Sequence, residues 1–201
     1  MTSRLMEPRT HVLRELRAMR PPRRLSRYEA RRVAENQAAK LLRLRGVADG
    51  PVPEEAISHL GHIEVARLDG MRASGFTKWY GGRWHIVVNA DHAGVRQRFT
   101  IAHELWHILE HPFAAYAPDQ DTAEQLADCF AACTLMPKAW VKRLWGEGIH
   151  DTATLARQFY VSRSAMRWRI DELKLDRIDD TQKLTTTRRG DYERSAVKTH
   201  V

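Results

Sequence analysis

Cysteine is scarce in this chain, with two in 201 residues. That excludes a small scaffold held by disulfides. Cys129 and Cys133 lie four apart on one predicted helix, a spacing better suited to packing than to a bridge. No run of about 18 uncharged apolar residues occurs, which argues against a membrane span. The N-terminus has no apolar signal-peptide core, and its first 45 residues are studded with arginine. These absences describe a cytoplasmic protein with no membrane partner, long enough for one domain with a real core.

What is present is distributed unevenly. Residues 1–45 carry 13 Lys and Arg against 4 acids, so the whole net charge of +8 arises there. From Met1 to Ser26, Arg mixes with Pro8, Pro21 and Pro22 over only a weak helical stripe. This predicts a disordered or loosely helical basic arm over 1–26, able to tether nucleic acid or an acidic partner through salt-sensitive attraction. Val33, Ala34, Ala38, Leu41 and Leu42 then predict a helix over Tyr28–Arg45.

Glu54–Leu60 reads as a short helix closed by Gly61, and His62–Ala66 alternates as a half-buried strand does. Gly75–Tyr80 and Arg83–Val88 flank Gly81-Gly82, a two-residue hairpin signal. From about Gly94 to Glu110, Val95, Phe99, Ala102, Leu105, Trp106 and Leu109 recur at helical spacing. The class predicted is α+β: a small twisted three-stranded sheet with helices packed on one face, over a domain of residues 27–150.

Within that last helix stands His103-Glu104-Leu105-Trp106-His107. Residues four apart share a helix face, so both imidazoles can bind one zinc ion. Glu104, one step round, can act as general base for a water on the metal. Five residues recur by chance in roughly 3 such chains per 100; the strand upstream and the uninterrupted helix lift the pattern above that level.

A catalytic zinc needs a third protein ligand and an open position. The next helix runs from Asp121 to Met136 before Pro137, and Glu124 lies one turn into it. Glu124 is the best placed third ligand, with His111, Asp119 and Asp121 as alternatives. Asp128, four residues on, is a candidate to fix a ligand imidazole through its other nitrogen. Manganese and iron accept the same ligand types, with zinc the default.

The pattern resembles the ImmA/IrrE family of zinc metallopeptidases. The matching blocks are Ile86–Asn89, Arg96–His107, Glu124 with Ala127-Asp128, Phe130-Ala131, and Leu135-Met136-Pro137. Upstream, Pro51-Val52-Pro53, Ile57, Leu60, Gly61, Ile63 and Val65 also fit. The resemblance spans roughly 31–175 and implies a zincin-like fold. By position it implies His103, His107 and Glu124 as ligands of one zinc per chain, and Glu104 as base. The chain departs from the pattern at Trp106, where members commonly have Gly, and at Cys129 and Cys133. A large indole at Trp106 is expected to enter the core or narrow the cleft.

Towards the C-terminus, residues 151–175 read as two short helices joined at Tyr160-Val161-Ser162, like a helix-turn-helix. Arg163, Arg167 and Arg169 are its candidate phosphate contacts, while Ala165, Met166 and Ile170 face a core. Residues 176–201 are polar and predict a flexible tail. The leading functional expectation is a zinc endopeptidase. The resemblance suggests its substrate, a helix-turn-helix repressor of phage, mobile-element or stress operons. A non-catalytic regulator that binds DNA, a repressor or an antitoxin through a structural zinc is the alternative.

Overall fold

The computed structural model describes residues 9–176. Helix α4, Gly94–Glu110, is the axis of the domain. Its Ile101, Leu105, Ile108 and Leu109 are fully buried, and each aliphatic side chain of this kind contributes about 2 kcal/mol on leaving water. Trp106 is also buried, so the indole enters the core.

One face of α4 meets a three-stranded sheet of β1 (Ile63–Leu68), β2 (Gly75–Tyr80) and β3 (Arg83–Asn89). The order is β1-β3-β2, with β1 parallel and β2 antiparallel to the central β3. Register places Val65, Ile86 and Thr77 side by side across the sheet. Ile86 and Val88 of the same β3 face are fully buried. At the turn, Gly81 and Gly82 both take positive φ, 59° and 78°, as a tight primed hairpin turn requires. Gly75 has a different reason to be glycine: an added Cβ would stand 2.5 Å from Thr100 Cγ2 of α4. Its bare backbone therefore lets β2, an edge strand, lie close against the helix.

On another face of α4 lies α5, Gln120–Leu135, which α2 (Arg27–Leu44) covers in turn. Asp119 caps α5 by accepting from the Thr122 N–H at 2.9 Å, and Pro137 follows its last turn. Ser26 and Glu29 form a capping box on α2, with the Ser26 N–H donating to Glu29 Oε2 at 2.9 Å. The short α3 (Glu54–Ser58) leads into β1, and α6 (Lys138–Gly146), α7 (Thr152–Phe159) and α8 (Arg163–Glu172) complete the chain order. No helix among the described residues is long and apolar enough to cross a membrane.

Three sequence expectations change. Of the arm expected over 1–26 as disordered or loosely helical, Arg9–Arg17 form a helix, α1, packed on the core. Val12, Leu13 and Leu16 are buried, Arg17 Nη2 donates to the Ile108 carbonyl at 2.8 Å, and Arg20 Nε pairs with Glu110 at 3.0 Å. The weak stripe suffices because these guanidiniums serve the C-terminal end of α4, where carbonyls lack helical partners. Gly61 does not supply the left-handed residue after α3; His62 does, at φ 64°. Arg169 is not an exposed phosphate contact. With Met166 and Ile170 it shares the inward stripe of α8, and it is 2 % exposed. Its Nε donates to the Met136 carbonyl just past α5, at 3.0 Å, and its Nη1 pairs with Glu172. Arg163 and Arg167 are exposed.

The α7–α8 pair is tied down elsewhere as well. Buried Arg98 of α4 donates to the carbonyls of Val52 and Tyr160, and its guanidinium lies 5.0 Å from the Tyr160 ring centroid. The segment expected as a flexible tail lies, after Asp176, outside the described residues, as does the chain before Arg9.

Candidate metal centre

The spacing of α4 puts His103 and His107 one turn apart on the face that α5 crosses, and their Nε2 atoms stand 3.1 Å from each other. Glu124, in the first turns of α5, points back at both. One carboxylate oxygen is 3.1 Å from His103 Nε2 and the other 3.5 Å from His107 Nε2. Around a tetrahedral zinc with bonds of about 2.1 Å, ligand atoms stand about 3.4 Å apart. The three side chains thus converge at the separation such an ion requires, and they form a group able to hold a metal.

Asp128, one turn after Glu124, approaches His103 from behind, with Nδ1 to Oδ1 at 2.8 Å. That contact fixes the proton on Nδ1 and frees Nε2 to point forward. Electrostatics separate the two imidazoles. Burial alone would lower the pKa of His103, but the bond to Asp128 and the charges of Asp128, Glu104 and Glu124 outweigh it and raise it. Burial and the neighbouring His103 lower that of His107.

Glu104, one step round the helix, is close enough for its charge to act on both imidazoles. It is 8 % exposed, under the sheet, and its Oε2 accepts a hydrogen bond from Thr77 Oγ1 of β2 at 2.7 Å. Thr77 escaped the sequence reading. Its only signal was a polar residue on the inward row of a strand, and that row is defined by pairing to β3.

The other ligand alternatives lie elsewhere. Asp119 is spent as the cap of α5. His111 begins a short 3₁₀ helix after α4 and sets its ring edge-on to Trp84, centroids 4.8 Å apart. Asp121 is exposed in the first turn of α5.

A sheet packed on one helix, with two histidines and a glutamate meeting where a second helix crosses it, defines a metallopeptidase-like domain of the zincin class. The family model for Peptidase_M78, the IrrE N-terminal-like domain, matches residues 61–171, more than half of the chain, and the chain belongs to that family. No curated protein matches it significantly. Among solved structures, a Mycobacterium tuberculosis transcriptional regulator matches with a TM-score of 0.54 at 18% identity, over 79% of this chain and 51% of the other. At that identity the likeness concerns the fold, and the chain spans about half the length of that regulator.

Proposed function

We propose that this chain is a zinc-dependent endopeptidase in which His103, His107 and Glu124 hold the ion and Glu104 is the general base. The observation that carries this reading is the placement of Glu104. A structural metal site has no need of a carboxylate beside it, yet this one is buried and hydrogen-bonded next to the ligand cluster. Zinc, when bound, supplies Lewis acidity that polarises a carbonyl and makes water ionisable near neutral pH.

The remaining work falls to the chain. Thr77 holds Oε2 of Glu104 and so leaves Oε1 to take the proton of the attacking water and pass it to the leaving amine. Asp128 keeps His103 in one tautomer. Edge strand β2, whose Thr77 touches Glu104, has no strand on its outer side among the described residues and can take an extended peptide by strand addition, which would lay a scissile bond along the cluster. The substrate class proposed is a helix-turn-helix repressor, cleaved to free the genes it silences.

A second reading, a regulator acting by contact, draws on Arg163 and Arg167 of α8, exposed where phosphates could meet them. Replacing Glu104 with Gln separates the two. Cleavage of the repressor, followed by mass spectrometry, should stop while metal content and folding stay unchanged. A biological effect that survives the replacement would favour the contact reading.

A further inference from the structure

Helix α5 carries a second cluster that the peptidase chemistry does not use. Cys129 and Cys133, 3 % and 7 % exposed, turn away from the histidines towards α2. There the two Sγ atoms and a carboxylate oxygen of Glu35 all lie within 4.8 Å of one another. We propose that Cys129, Cys133 and Glu35 form a second, thiolate-rich metal site for a thiophilic d¹⁰ divalent cation, of the zinc and cadmium class.

The arrangement contains more than packing needs. Two buried thiols stack adequately against apolar neighbours, but here a carboxylate from another helix completes a three-donor set. Two thiolates and one carboxylate are the soft-to-borderline donors that zinc and cadmium accept in tetrahedral coordination. Both cysteines are free thiols.

Access exists as well. Glu35 and Cys133 line a cavity of about 680 Å³ together with Trp140, Arg169 and four further Lys and Arg side chains. That space leaves room for a cation to enter and for a water to fill a fourth position.

Two guanidiniums, of Arg31 and Arg169, stand beside the donors. Arg31 Nε lies 3.2 Å from Glu35 Oε1. Hydrogen bonding from Cys129 is the main cause that draws the Cys133 thiol down to about 7, and Arg169 assists against the opposing effect of burial. The same contact with Cys133, with burial, pushes the Cys129 thiol up; a cation binding both sulfurs as thiolates would displace their protons to solvent. Filled, the site would pin α2 to α5 much as the histidine cluster pins α4 to α5. It stands independently of the peptidase reading.

The test is a titration of the reduced, chelator-stripped full chain with Cd²⁺ alone, following thiolate-to-cadmium charge-transfer absorption in the ultraviolet. Histidine sites do not produce that band. The expected result is a band saturating at about one equivalent in the His103→Ala variant, lost in Cys133→Ser and weakened about tenfold or more in Glu35→Gln. Circular dichroism checks that each variant folds. Should Cys133→Ser fail to fold, Glu35→Gln decides, since Glu35 is only part-buried on its helix. No band in the folded wild type, or a band with unchanged affinity in Glu35→Gln, would overturn the proposal.

Discussion

Two faces of helix α4 divide the chemistry of one five-residue motif. On the side crossed by α5, His103 and His107 remain partly open and meet carboxylates, Glu124 in front and Asp128 behind. On the side covered by the sheet, the intervening Glu104 is buried and bonded to a single hydroxyl, that of Thr77. Helix crossing thus assembles a cluster of convergent donors, and sheet packing buries a single carboxylate beside it. In the proposed enzyme the first arrangement holds the metal and the second sets the base. Substitutions on the two faces should therefore fail in different ways.

The sharpest break in that comparison is between Glu104→Gln and His103→Ala. Glu104→Gln is expected to lower turnover by about 10²–10⁴-fold with metal content intact. His103→Ala should abolish activity by losing the ion. Kinetics paired with metal analysis read both, and loss of metal from Glu104→Gln would merge the two faces into one. Next in size is Asp128→Asn. Losing the partner that orients His103 should weaken metal binding by about 10–100-fold, measured by competition with a chelating dye, and an unchanged affinity would show that Asp128 does not act on the metal face.

Acid should act on the same face. Metal ligands must be deprotonated, and the pKa of His103 is raised by Asp128 and its acidic neighbours against burial. Protons therefore compete at His103 from a higher pH than at His107, whose pKa is lowered. Metal bound above that range should be released as pH falls through it. Asp128→Asn should move the protonation of metal-free His103, followed by NMR, to lower pH. The smallest effect is expected from Thr77→Val. It removes one hydrogen bond, worth about 1 kcal/mol, and should reduce turnover several-fold without changing metal affinity. A drop in metal content instead would mean that β2 supports the ligands.

Much of this division was legible in the sequence because it rests on local periodicity. The bounds of α4, the hairpin at Gly81-Gly82 and the stop of α5 at Pro137 follow from spacing and turn chemistry, and the convergence of Glu124 on His103 and His107 follows from two helical registers. What was hidden depends on tertiary pairing. The parallel β1–β3 contact, which makes β2 an edge, arises from a crossover that no spacing encodes. Arg169 was misread, and Arg20 was not distinguished from the rest of the basic arm, because arginine usually marks a solvated face, whereas here each guanidinium is enclosed and bonded near a helix end. Glu35 lies on a different helix from the cysteines it meets, 94 positions before Cys129.

The central claim is that His103, His107 and Glu124 hold one ion. Metal analysis by mass spectrometry on purified wild type, His103→Ala and Glu124→Ala tests it most directly. The account predicts about one zinc fewer per chain in both variants than in the wild type, with all three proteins folded. Equal metal content in the three would contradict it.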